Sequence, residues 1–118
     1  MDTNELAWAA GFFDGEGHIR YQKGSLQLAV AQVTKDGTTP FVLLHLQKAL
    51  GRGHVTGPYK GQKANHHSSY QFTISNFEDT QAAICFMWKW LGPIKKSQAK
   101  KVLTTWLTRP KPGRWPVS

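Results

Sequence analysis

The chemistry in this 118-residue chain concentrates in a short acidic turn, Asp14-Gly15-Glu16-Gly17, where one glycine separates two carboxylates. Taken alone, acid-Gly-acid-Gly is an ordinary turn sequence. A second set is cationic: Lys95, Lys96, Lys100 and Lys101 cluster in a form suited to phosphate or to an anionic transition state. The histidines show no zinc spacing. His66-His67 lies in a polar stretch without thiolate partners. His18 and His54 start strands and His45 lies on a helix, settings in which lone histidines contact phosphate or stay solvated. Cys85 is the single cysteine and cannot form an internal disulfide, which together with Asp2 and Glu5 after Met1 points to a reducing intracellular setting (cytoplasm, nucleoid or organelle matrix) without an export signal.

The chain carries 15 Lys and Arg against 7 Asp and Glu, a net charge of +8. The charge is segregated: residues 1–17 hold Asp2, Glu5, Asp14 and Glu16 and no base, whereas residues 80–118 hold only basic charges. A basic surface on a small domain is either an electrostatic footprint for polyanions, nucleic acid above all, or a solubilising excess. The length fits one domain, 1–109, with a Pro-rich basic tail, 110–118. The apolar content of 40% excludes a disordered chain, and the run from Ala82 to Trp88 is too short to cross a bilayer.

The elements that must position these residues follow from periodicity. Asp2 caps a helix with Glu5 three residues on, and Leu6, Ala10 and Phe13 recur at helical spacing until Gly15. His18–Lys23 and Leu26–Thr34 form a hairpin with one buried face. Thr39 is the expected cap of a second helix, with Pro40 at its first position and a stripe from Val42 to Leu50 that stops at Gly51. The strand pair repeats at Arg52–Tyr59 and Ser69–Ser75, joined by the polar stretch from Lys60 to Ser68. Asn76 caps a third helix with Phe77, Gln81, Ile84, Trp88 and Leu91 along one face, broken at Gly92-Pro93. A last helix, Lys95–Leu107, presents Ala99, Val102, Leu103, Trp106 and Leu107 before the prolines of the tail. The order is αββαββα plus a tail, an α+β fold with a four-stranded antiparallel sheet and all helices on one face.

The first helix is apolar or small nearly all round, more than one core can bury. Ala7, Gly11 and Gly15 lie at i, i+4 and i+8, a row that lets another backbone approach closely, although an interior glycine costs about 1 kcal/mol. The alternative is a helix threading the centre of its own fold.

The stretch from Ala9 to Gly17, with Ala10-Gly11, the bulky pair Phe12-Phe13 and the acid-Gly-acid-Gly ending, resembles the nine-residue signature of the LAGLIDADG homing endonucleases. The resemblance extends downstream through Leu26, Leu28, Val30 and Gln32, then Leu50-Gly51-Arg52-Gly53 and Val55, then Tyr70, Phe72 and Ile74, then Leu91 to Gln98 with Lys95. It implies a DNA-cutting enzyme in which two signature helices pack side by side and bring their last acids to the scissile phosphates. Only one signature occurs here, so a homodimer is implied, with Ala7, Gly11, Asp14 and Gly15 at its interface.

By the same resemblance Glu16 is the metal-binding carboxylate and the Gly15 carbonyl a further ligand, although Asp is the commoner residue at the position of Glu16. Hydrolysing a phosphodiester needs a nucleophilic water, charge neutralisation and a stabilised leaving oxygen, which divalent ions between two carboxylates supply. Hard oxygen ligands select Mg²⁺, with Mn²⁺ or Ca²⁺ able to substitute in binding. The resemblance makes Gln32 a residue that orders water and Lys95 one that stabilises charge, so that Glu16, Gln32 and Lys95 are the catalytic candidates. Otherwise Gln32 is a polar residue ending the buried side of a strand and Lys95 a phosphate contact. Asp14 buttresses the helix pair through hydrogen bonds.

Alternation along the strands places Arg20, Gln22, Gln27, Ser69, Gln71 and Thr73 on the face away from the core, with Ala29, Ala31, Val33, His54 and Thr56 sharing it. Arg and Gln can pair bidentately with guanine and adenine in the major groove. Lys35, Arg52, Lys60, Lys63 and Lys96 are expected to contact phosphates at its margins. The reading that results is a homodimeric Mg²⁺-dependent endonuclease of a long pseudo-palindromic double-stranded site, leaving cohesive 3′ ends. Its competitors are a non-catalytic DNA-binding regulator or an RNA-splicing maturase on the same fold. An anonymous RNA-binding domain is disfavoured because the strand aromatics fall on the buried parity.

Overall fold

The computed structural model describes residues 2–22, 24–60 and 67–109. Lys23, Lys63, His66 and the tail 110–118 lie outside the described residues. The elements are α1 (Thr3–Glu16), β1 (Gly17–Gln22), β2 (Ser25–Thr34), α2 (Phe41–Leu50), β3 (His54–Lys60), β4 (Ser68–Ile74), α3 (Phe77–Met87), a 3₁₀ turn (Trp88–Trp90) and α4 (Pro93–Leu107). Two helices therefore follow β4, and the full order is αββαββαα. The strands form one antiparallel sheet in the order β1-β2-β4-β3. No helix among the described residues is long and apolar enough to cross a membrane.

α1 begins where capping chemistry requires: the Asp2 carboxylate accepts from the N–H groups of Asn4 and Glu5 at 2.8 and 3.3 Å. Glu5 does not close a capping box. Its carboxylate lies 2.6 Å from His45 Nε2 instead, and the His45 ring stacks on Trp8 at 3.8 Å, so this half-buried histidine ties α2 to α1. Leu6, Ala9, Ala10 and Phe13 form the buried stripe of α1. The helix passes into β1 with no loop. A Cβ at Gly17 would lie 2.0 Å from the Phe13 ring, so only glycine lets the chain turn against that fully buried side chain.

The other helices depart from expectation in identifiable ways. α2 starts at Phe41 with Pro40 in the cap position and no side-chain cap; Pro40 is still extended, and its carbonyl accepts from the Leu43 N–H at 3.1 Å. Thr39 is therefore not the cap. The helix does stop at Gly51, which takes the left-handed conformation (φ 68°). In α3 the cap is Asn76, accepting from Asp79 N–H at 2.8 Å, but Thr80, Ala83, Ile84 and Met87 face the core and Gln81 is exposed. Thr80 can be buried because its hydroxyl reaches the carbonyls of Leu26 and Ile74. The 3₁₀ turn then resets the helical phase at Trp88. On α4, Leu107 is 63% exposed, while Trp106 stacks on Phe77 at 3.8 Å.

Leu26, Leu28, Val30, Phe72 and Ile74 project from the sheet into one core with Leu43, Leu46 and Leu50 of α2 and Met87 of α3. Burying a Leu or Phe of this kind is worth about 1.5–3 kcal/mol each. This holds the helices to one face of the sheet and leaves the other open.

Candidate nucleic-acid interface

The open face is built by register. His18, Ala29, Thr73 and His54 form one row across all four strands, and Ala31, Gln71 and Thr56 form a second. Arg20 pairs with Gln27, and Gln22 lies exposed beyond it. Arg20, His18, His54 and Thr56 are exposed, whereas Gln27, Ser69, Gln71 and Thr73 are half-buried. Ala29 is buried beneath its row neighbours, although it has the parity of this face. None of these residues is acidic, so the surface offers hydrogen-bonding groups and positive charge without competing carboxylates.

One contributor departs from simple alternation. Thr56 pairs with Gln71, but the next partner, Ser69, pairs with Tyr59 instead of Pro58. This bulge at Gly57-Pro58 moves Tyr59 onto the open face, 48% exposed, beside Val33 at 64%. Tyr59 donates to Thr56 Oγ1 at 2.9 Å. The expectation that every strand aromatic is buried thus fails at Tyr59. The Gly-Pro pair inside a strand was the available signal.

The basic margin divides. Lys35 and Lys60 are exposed at strand ends. Lys96 and Lys100 lie over the Trp88 ring at 5.3 and 5.9 Å. Arg52, expected at a phosphate, is instead turned to α3: its Nε donates to the Leu50 carbonyl, its Nη1 is 3.7 Å from Asp79, and its guanidinium covers Phe86 at 5.1 Å.

Glu16 and Gly15 are the exposed last residues of α1, adjoining β1. The last carbonyls of a helix lack intrahelical partners, and its C-terminal end carries partial negative charge. The last turn of α1 holds no basic residue. Carboxylate and carbonyl oxygens are the hard donors that Mg²⁺ prefers, so the donor set fits the ion in kind. It is incomplete in number. No group of three or more His, Cys, Asp or Glu side chains able to hold a metal exists among the described residues.

Gln32 continues the core-facing parity of β2 opposite Tyr70, half-buried. The pairing of Gly17 with Val30 puts it at the same end of the hairpin as Glu16. Lys95 is 8% exposed in the first turn of α4 and takes part in neither ion pair found among the described residues, Glu5–His45 and Arg52–Asp79. Asp14 accepts from Gly92 N–H at 2.9 Å, a contact within the chain that joins α1 to the start of α4. Along the rest of α1, Ala7 is half-buried and Gly11 and Gly15 are exposed, with no heavy atom within 4 Å of the place a Cβ would take at either glycine. The helix therefore does not thread the centre of its own fold.

No protein-family model matches the chain, and no curated protein sequence matches it. Solved structures do. The homing endonuclease I-CvuI, in complex with its target in the presence of 2 mM Ca, matches at 27% identity and TM-score 0.68 over 89% of this chain and 67% of that one. I-CvuI with an I-CreI target in the presence of 2 mM Mg, its DNA not cleaved, matches at 25% identity and TM-score 0.64 over 90% and 69%. The LAGLIDADG meganuclease I-CpaMI bound to uncleaved DNA shares the fold at 18% identity and TM-score 0.62, over 87% of this chain and 37% of that one.

Proposed function

By its fold the chain belongs to the LAGLIDADG homing endonuclease family, and on that premise we propose that it is a site-specific double-stranded DNA endonuclease. It acts as a homodimer on a long pseudo-palindromic site and requires Mg²⁺. The observation that carries this reading is the continuity of α1 and β1: the exposed Glu16 carboxylate stands at the head of a sheet whose open face is polar and free of acids.

Each strand of a duplex needs its own cut, and one chain supplies one Glu16. The row of half-buried Ala7 and exposed Gly11 and Gly15 offers the surface on which a second α1 packs, bringing a second Glu16 alongside the first. Glu16 and the Gly15 carbonyl hold the metal ion, which when bound neutralises phosphate charge and acidifies water. Gln32 orders water by hydrogen bonding. Lys95, held in a shielded site, places an ammonium where negative charge develops in the transition state. Arg20, Gln22, Gln71, Thr73, His54 and Thr56 meet base edges, while Lys35, Lys60 and Lys96 contact phosphates.

The test is selection of cleaved sites from a random duplex library with Mg²⁺. Recovery of a two-fold-related motif supports enzyme, specificity and dimer together. Sites that are bound and never cut support the non-catalytic regulator instead.

A further inference from the structure

The proposed DNA-binding role leaves open which base chemistry the sheet accepts, and one contact on the open face bears on it. Arg20 and Gln27 lie opposite one another on β1 and β2, and Arg20 Nε donates to Gln27 Oε1 at 3.0 Å. A guanidinium has five N–H donors and no acceptor. With Nε engaged, the remaining four sit on the two Nη atoms at the outer edge of the group. Gln27 turns its amide oxygen toward Arg20, spending one of its two lone pairs on this bond, and keeps the two donors of its amide nitrogen. Together the pair offers donors to whatever lies above the sheet.

This changes what Gln27 can read. A free glutamine recognises adenine by accepting from N6 while donating to N7. Here the accepting oxygen is oriented toward Arg20, so the bidentate adenine contact would require it to turn away from the guanidinium. Guanine presents two acceptors, N7 and O6, in the major groove, and an arginine fork matches both. Arg20 takes part in neither ion pair found among the described residues, so no carboxylate there draws the guanidinium elsewhere. We propose that Arg20 and Gln27 act as one composite reader of guanine, in which Arg20 makes the base contact and Gln27 is a positioning residue that fixes the guanidinium and rejects adenine. The reader rests on the function proposed above and assigns it a base preference.

The experiment uses the full chain and a duplex recovered by binding selection. Guanines are replaced one at a time by 7-deazaguanine, which lacks the N7 acceptor, and by adenine. At one position in each half-site both replacements should weaken binding by about 5- to 150-fold. Gln27→Leu should lower the guanine-over-adenine ratio at that position severalfold. Gln27→Glu, which keeps an acceptor, should restore the ratio. Specific binding with 7-deazaguanine silent at every position, or a ratio unmoved by Gln27→Leu, overturns the reader and leaves the function standing. A chain that prefers no duplex over random sequence overturns the function, and the reader with it.

Discussion

The Asp14 carboxylate accepts a hydrogen bond from Gly92 N–H at 2.9 Å, joining positions 78 residues apart. Asp14 lies two positions before Glu16 on α1, and Gly92 is the cap residue of α4, whose first turn carries Lys95 and no acid. Asp14 thus supplies, from another helix, the negative group that the N-terminus of α4 lacks. It also fixes the element bearing Glu16 to the element bearing Lys95.

Removing this bond with Asp14→Ala should cost about 1.5–3 kcal/mol in urea denaturation, the range for a hydrogen bond to a charged group. A Cβ on Gly92 would approach Asp14 Oδ2 to 2.9 Å, so Gly92→Ala must displace the same carboxylate. The two substitutions therefore destroy one interaction. Their combined loss should fall short of the sum. Strict additivity would show that the bond does not hold the helices.

Glu16→Gln should abolish cleavage and preserve sequence-specific binding. It removes the charge of the proposed metal ligand while keeping its shape, and Glu16 takes part in neither ion pair found among the described residues. Cleavage assays and gel-shift titrations on the selected site separate the two readouts. Cutting at the wild-type rate would remove Glu16 from the chemistry.

Arg52 and Lys35 should behave oppositely, although both were expected at phosphates. Arg52 is held by the Leu50 carbonyl, Asp79 and Phe86, so Arg52→Ala should cost about 1 kcal/mol of stability and leave the salt dependence of DNA binding unchanged. Lys35→Ala should leave stability unchanged and reduce the salt slope by about 1 per protomer, about 2 for the proposed dimer. A shallower slope for Arg52→Ala would mean that its guanidinium leaves α3 when DNA binds.

Asp36 lies in the turn before α2, where the Thr38 hydroxyl and N–H donate to its carboxylate at 2.7 and 3.0 Å. The Thr38 hydroxyl, then the Thr38 N–H, hold the Asp36 carboxyl below its ordinary value. A depressed value in the folded state means that the turn gains stability above the unfolded-state value and loses it as pH falls through the folded one. Thr38→Val should raise the Asp36 midpoint in an NMR titration. An unchanged midpoint would show that the hydroxyl contributes nothing.

Features set by neighbouring residues were legible in the sequence, and features set by distant ones were not. Asp2, Asn76 and Gly51 could be read as caps because a cap depends on side chains within four residues. The parity of β2 and β4 could be read because each runs without interruption. Tyr59 could not, since one inserted residue at Gly57-Pro58 inverts everything beyond it. Phe77, Ile84, Trp88 and Leu91 do lie in or against the core, but Thr80 escaped notice because it is polar in the sequence and its hydroxyl is satisfied by carbonyls of β2 and β4. His45 looked solitary until Glu5 and Trp8, some forty positions earlier, came to lie against it. For the same reason the signature turn could be located, while the tie from Asp14 to α4 required the fold.

The dimer has a test that separates the interface from the fold. A Cβ at Gly11 would meet no heavy atom within 4 Å, so Gly11→Leu costs the single chain no packing. It should even strengthen α1, because glycine is about 1 kcal/mol poorer than good helix formers in a helix interior. If Gly11 faces its counterpart across a two-fold axis, the same leucine enters that interface twice, where overpacking costs about 1–3 kcal/mol per site. Gly11→Leu should therefore unfold at the wild-type denaturant concentration or above, yet sediment as a monomer and fail to cut both strands. The combination matters, because a merely misfolded variant would lose stability as well. A stable Gly11→Leu dimer that cuts both strands would place the interface elsewhere on the molecule.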